Sequence, residues 1–523
     1  MDKVQNIKVI CQGGIVQNSD AITQGIKATG SAISLINYEP STATGYQRIL
    51  GYSKYSSSVV PGTGPVLGCK VAHTGIYVSR LNAGSTATQI FFGTGTSWGS
   101  PINATGLNTN TVKVRFTDFS ISEELVCATN GLDYARVFDD SQTETVINGT
   151  GAPTTPAYAE MITGSLCLAP ASAASSVAIS APNNPTDFDG LDGAVEINCG
   201  DTVTGLKRFR ETLYVFCANS IWMLQGSSAA DWTLVPVTRS IGCLAHDTIQ
   251  ELGGDLVFLA PDGFRSLAAT QRIGDVELGL LSPQVQPLLL EEIAGLDVNK
   301  FSSCLIRSKG QYRIFFYVTG LVNDSDATGM IGRVTRQVNY YQGEEGESYQ
   351  FSQLNGFNAY CADSLYQTSG SEIAIFGHPT NGYLYLMESG NSFDGGNISY
   401  VYKTPGFMFD DATIRKVFLK LTVYTQQTGS LNLTISPEID FNNGNVLQPP
   451  SIVVTNSGSG ATFGSAVFGV DKFAVPAFSI IKRNLVGSGY ELAFSFTGSD
   501  TNPPHRIDAL EIQYITKDDK EAV

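Results

Sequence analysis

Charge is scarce in this chain. Asp, Glu, Lys and Arg make up 15% of its 523 residues, against roughly 25% in soluble domains. Acidic residues (48) outnumber basic ones (32), giving a net charge of −16. The basic residues are scattered, so no patch is available to grip a phosphate backbone, and tight nucleic-acid binding is excluded. Histidine is rarer still. His73, His246, His378 and His505 have no metal-ligand spacing among them, and three lie in or beside turns, so they are expected to be exposed turn residues. The nine cysteines, at 11, 69, 127, 167, 199, 217, 243, 304 and 361, include no CxxC pair. Cys127, Cys167 and Cys217 sit inside apolar runs, so buried free thiols and synthesis in a reducing cytosol are expected. No apolar run approaches the ~18 residues of a membrane span, and Met1 to Lys8 lacks the shape of a signal peptide. There is no GxGxxG opening a helix, no phosphate-binding loop lysine and no GxSxG. On this reading the protein is not an enzyme and has no catalytic, metal-binding or cofactor-binding residues.

Glycine (54), proline (21) and apolar residues (42%) are plentiful, so the chain is rich in turns and able to build large cores. Residues 205–267 state the same pattern twice. Leu213-Tyr-Val-Phe-Cys217, a turn at Ala218-Asn-Ser220 and Ile221-Trp-Met-Leu224 form one hairpin. Asp255-Leu-Val-Phe-Leu-Ala260, a turn at Pro261-Asp-Gly263 and Phe264-Arg-Ser-Leu267 form another, about 44 residues on. Five more follow the pattern, at Cys69–Val78, Leu125–Phe138, Ser165–Ile179, Gln311–Val334 and Glu372–Leu386. Turn centres recur every ~42 to 61 residues, and propeller blades use roughly 40–50. The expected fold is all-β, a propeller of six to eight blades and about seven. Stacked β-sandwiches, whose strands are spaced alike, are the competing architecture.

Three regions depart from this rhythm. Residues 1–60 read as an extended segment that docks onto something else, because Pro40 bars Glu39 from helical space and Gly45 permits a positive φ. Within the propeller (61–398), residues 320–350 read as long acidic surface loops, from Asn323-Asp-Ser-Asp and Gln342-Gly-Glu-Glu-Gly-Glu-Ser348. Residues 399–523 alternate cleanly, as in Lys416-Val-Phe-Leu-Lys-Leu-Thr-Val-Tyr424, and read as a C-terminal sandwich or platform. Helix is expected only at 282–293, capped by Ser282 and stopped by Gly295.

Few residues suggest chemistry. Asp187-Phe-Asp-Gly-Leu-Asp-Gly193 has alternating carboxylates like a cation loop, but lacks the closing glutamate; cation binding between Asp187 and Asp192 is left open. Asp231-Trp-Thr233 is the nearest approach to the repeated turn of propeller sialidases, and it occurs once without the glycine. Trp222 and Trp232 are expected in the core.

Residues 32–52, through Ala32-Ile-Ser-Leu-Ile36, Asn37-Tyr-Glu-Pro40, Gly45-Tyr-Gln-Arg48 and Gly51-Tyr52, resemble the opening of tail proteins from short-tailed bacteriophages. So do Ser240-Ile-Gly-Cys243, Phe258-Leu-Ala-Pro-Asp-Gly-Phe-Arg-Ser-Leu267, Ser392-Phe-Asp-Gly395 and the strand from Asp508 to Tyr514. The chain is similar to the tail nozzle or hub proteins of podoviruses, of the P22-like and T7-like types. The resemblance implies a structural virion protein, assembled in the host bacterial cytoplasm and carried in the tail. It implies a hexamer of propeller-bearing subunits that docks to the adaptor ring and to fibres or spikes. DNA would pass through the lumen of that ring without specific binding. The alternative is a glycan-binding or glycan-hydrolysing propeller.

Overall fold

Alternating apolar residues and tight turns dictate antiparallel strands, and the computed structural model arranges those strands around an axis. It describes all residues except 1–3, 20, 27–28, 43, 96, 109–110, 122, 171–174, 227, 229, 268–279, 339–344, 410, 457–476 and 517–523. Six separate three- or four-stranded sheets and the first four strands of a nine-stranded sheet stand side by side as blades. The fold is a β-propeller. Innermost strands, in chain order, are Thr63–Val71, Arg115–Ser120, Pro156–Ile162, Val203–Phe209, Gln250–Leu252, Ser302–Ile306 and Cys361–Tyr366. Six of the seven expected hairpins are the second and third strands of a blade; the hairpin of blade one is its first and second.

Apolar clusters fill the gaps between neighbouring blades, and the one between blades five and six runs on into the core of the C-terminal sheets. Leu67, Tyr77 and Phe138 fill the gap between blades one and two, and Leu213, Val215 and Trp232 face Ile162, Cys167 and Ile179 between three and four. Val66, Phe91, Ile375 and Leu384 join blade seven back to blade one, so the ring is closed. Trp232 is buried in this way, and Trp222 packs against the same cluster beneath the Arg239 guanidinium.

The N-terminal segment is stitched into distant sheets. Tyr52–Lys54 pairs with Leu384–Met387 and supplies the outer strand of blade seven. Ser34–Ile36 lies between Glu345–Asn355 and Ile398–Lys403, so a single nine-stranded sheet runs from blade six into the C-terminal region. Gln5–Ile10 and Tyr46–Arg48 pair with His505–Thr516 in a seven-stranded sheet. That sheet and the distal half of the nine-stranded one share a core of Leu421, Val423, Leu433, Ile435, Phe494 and Leu510, in the manner of a β-sandwich.

Three expectations are corrected. Residues 320–350 are not loops throughout, because Thr328–Val338 and Glu345–Asn355 form a continuous hairpin from Thr328↔Asn355 to Val338↔Glu345. The tip of that hairpin lies outside the described residues. Asp324, in the preceding turn, accepts from Asn358 and contacts His378 Nε2 at 3.1 Å. Of the histidines only His73 is exposed; His378 and His505 are each 3% exposed and His246 is half-buried, because aromatic rings cover them, from Tyr385 of the same hairpin at His378 and from distant Tyr158 and Tyr400 at His246 and His505. The helix Gln286–Ile293 forms behind a 3-10 turn at Pro283–Val285, but Ser282 makes no cap. Its Oγ instead accepts the Phe264 N–H at 2.9 Å.

Candidate functional site: the axial cavity

The innermost strand of a propeller blade turns one edge toward the axis, so any polar residue on that edge meets its counterparts from other blades. Blade one contributes Lys70, blade two Lys113, Arg115 and Asp118, blade three Glu160 and blade four Lys207. Blade five brings His246 and Asp247 on a 3-10 turn, and blade seven brings Asp363. Together they line a cavity of about 200 Å³ on the axis. Four cations face four carboxylates there.

The charges are joined across the bore. Lys70 Nζ reaches Asp118 at 2.6 Å and Asp363 at 3.4 Å, tying blades one, two and seven. Burial alone would depress the Lys70 ammonium, but Asp363 and Asp118 reverse this and hold it above its usual value. Asp247 takes the Arg115 fork through Nε and Nη2, at 3.1 and 2.8 Å, and Lys113 at 3.3 Å. These bonds run from blade two to blade five. Burial opposes ionisation of Asp247, yet Arg115 and Lys113 hold its carboxyl well below the usual range. Burial pushes the Lys113 ammonium down, which Asp247 only partly offsets. Lys207 and Glu160 stand farther apart, at 3.9 Å. His246 packs at 5.0 Å from the Tyr158 ring, and burial pushes its imidazole down to about 3, keeping it neutral.

This arrangement ties blades one, two, five and seven together across the axis. A ligand pocket usually offers ~300–1,000 Å³, more than this cavity has. Glycoside hydrolysis requires one carboxyl held protonated, with a raised pKa, opposite an ionised partner. Asp118 and Asp247 are both moved the other way, Asp118 because Lys70 outweighs its burial.

The cation-loop candidate is engaged elsewhere. Asp187 Oδ1 accepts the Asp189 N–H, and Asp189 Oδ1 accepts the Leu191 N–H at the start of a short 3-10 turn. Among the described residues no three His, Cys, Asp or Glu side chains converge as a metal site would need. No described helix is long and apolar enough to cross a membrane.

Sequence reasoning assigned no site residue, and the axial charges escaped it. One signal was present. Lys70, Glu160 and Asp363 are each the lone charge on the strand that opens a blade, and Asp118 and Lys207 lie on such strands beside an arginine.

No family model and no curated protein matches the chain. It is similar to an exo-β-1,3-galactanase from Phanerochaete chrysosporium, at 12% identity over 89% of this chain and 100% of that one, with a TM-score of 0.27. It is similar to Hsv2 from Kluyveromyces lactis at 12% identity, over 55% and 86% of the two chains, TM-score 0.33. It is also similar to the computationally designed Ika8 protein at 9% identity, over 64% and 99%, TM-score 0.34. Likenesses this distant carry no function across.

Proposed function

We propose that this chain is a structural subunit of a tail nozzle or hub, of the kind its sequence motifs resemble, and that it acts without catalysis. The observation that carries this reading is the nine-stranded sheet, which makes blade six and the C-terminal platform one rigid body. Such a join suits a wall under load. The axial ion pairs support the same reading, since they close the propeller's own bore. A DNA path would then lie between subunits, along acidic surfaces that do not hold phosphate. The platform also presents Phe441, Leu447 and Val486, 63%, 92% and 72% exposed, on two loops joined where Glu491 accepts the Phe441 N–H at 2.7 Å. Large apolar residues displayed together suit contact with a neighbouring protein.

Native mass spectrometry of the purified chain is the test. Six copies of the 55.8 kDa chain in a closed ring give about 335 kDa. A stable monomer that cleaves or binds polysaccharide would overturn the proposal. The second reading, a glycan-binding or glycan-hydrolysing propeller, draws on the axial carboxylates Asp118, Glu160 and Asp363. It expects oligosaccharide binding that is lost in the E160Q variant.

A further inference from the structure

The nine free thiols are all buried; Cys69 meets Cys361 at the axial cavity, and Cys199 and Cys217 form a second contacting pair. Cys217 ends the second strand of blade four, Thr212–Cys217, and Cys199 lies in the connector that enters that blade from Val195–Asn198 of blade three. The Cys217 thiol is directed at Cys199 Sγ, 3.7 Å away. The two residues are 18 positions apart in the chain.

The backbone around them is built to hold this approach. Gly200 turns the connector with a φ of +74°, and its N–H is fixed by Asn198 Oδ1 at 2.7 Å. Asp201 then acts as a latch. Its Oδ2 accepts the Asn219 N–H at 2.8 Å and the Ser220 hydroxyl at 2.9 Å, both in the turn that follows Cys217. The Ala218 N–H bonds to Thr202 O at 2.9 Å. Connector and strand end are therefore joined directly beside the thiol pair. Cys199 is 5% exposed and Cys217 fully buried, so a small oxidant can meet Cys199 first while Cys217 waits behind it.

We propose that Cys199 and Cys217 form an oxidative cross-link site, converted by a peroxide into a disulfide that pins the blade three to four connector onto blade four. The chemistry balances. Peroxide oxygen adds to the Cys199 sulfur, giving a sulfenic acid and releasing one water per peroxide. The Cys217 sulfur then attacks the Cys199 sulfur and the S–O bond breaks. A second water leaves with the hydroxyl and the Cys217 proton. Two thiols lose two electrons and two protons, and one peroxide becomes two waters. The link would form after the chain leaves a reducing compartment, and it would restrict an 18-residue separation in the unfolded state.

The test is peptide mapping of the full chain, kept unreduced after treatment with hydrogen peroxide. The expected result is a Cys199–Cys217 linked peptide about 2 Da lighter than the two thiol peptides together. Accessible thiols after denaturation fall from nine to seven, and Tm rises by roughly 2–4 °C and returns on adding dithiothreitol. C199S is expected to lose the link and the Tm rise while folding normally, because Ser can still donate to Ser175 O, which Cys199 Sγ meets at 2.8 Å. D201N keeps both thiols and is expected to cross-link more slowly. Two results would overturn the site, whether or not Cys69 and Cys361 of the axial cavity have linked: a Cys199 sulfinic acid with no Cys199–Cys217 link, or an unmodified Cys199–Cys217 pair.

Discussion

Arg313 Nη2 donates to Glu39 Oε2 at 3.2 Å, although the two residues stand 274 positions apart in the chain. Arg313 is fully buried on the second strand of blade six, and Glu39 is 4% exposed on the N-terminal segment. Arg313 also reaches Glu388, at 2.6 Å, and Lys309 reaches Glu39 at the same distance. Four charges thus fasten the segment to the propeller, and each is desolvated by the others' presence.

Removing one partner from such a group is costly, because the opposite charge stays buried. E39A is expected to lose about 3–5 kcal/mol, as in other broken buried pairs. Calorimetry should show the transition containing blade six moving down. An unchanged Tm would mean that water fills the site.

Tyr52 anchors the outer strand of blade seven. Its ring stacks on Phe393 at 4.9 Å and meets Phe357, Phe376 and Tyr385 edge-on at 5.0–5.1 Å. Y52A empties the centre of that aromatic group and is expected to cost about 3–5 kcal/mol. Limited proteolysis should then cut near the outer strand of blade seven faster than in the wild-type chain.

The axial ion pairs are unequal. D247N leaves the Arg115 and Lys113 charges buried without a counter-charge and is expected to cost about 3–5 kcal/mol. K207A removes a 3.9 Å contact from a side chain that is 37% exposed, and should change stability by less than about 1 kcal/mol. Urea midpoints of the two variants measure the contrast directly.

Glu491 gives the platform a pH response. Burial, then the nearby Asp440 and Glu438 carboxylates, push its carboxyl up to about 7, against the opposing pull of the Phe441 N–H and Lys403. The folded state therefore holds this proton more tightly than the unfolded chain does. Its stabilising contribution is complete below the usual carboxylate range, near 4.5, and is lost as pH rises through about 7. E491Q should flatten that loss, making the variant more stable than the wild type at pH 8 by on the order of 1–3 kcal/mol. Paired Tm measurements at pH 5 and pH 8 separate the two proteins.

What the sequence revealed follows from range. The hairpins around residues 75, 131, 219 and 262 were legible because alternation and turn residues act within a dozen positions. The Met330–Val334 stretch was expected as a strand, but its pairing with Glu345–Asn355 was missed, because that partner opens with Glu345-Gly-Glu-Ser348, which reads as loop. His505 was missed because its cover comes from Tyr38, whose hydroxyl lies 2.7 Å from Nε2, 467 positions away. The axial site shows the same limit, since Arg115 and Asp247 are 132 positions apart and only ring closure makes them neighbours.

The pairing of Gln5–Ile10 with His505–Thr516 sets an order of events during synthesis. The first described strand emerges from the ribosome almost a whole chain length before its partner exists. Tyr52–Lys54 likewise waits for Leu384–Met387 before the last blade has its outer edge. Individual blades can fold as they appear, but the ring and platform lock only after His505–Thr516 has been made. Until then two strand edges stand open, so a stalled or shortened chain is an aggregation hazard rather than a smaller working version.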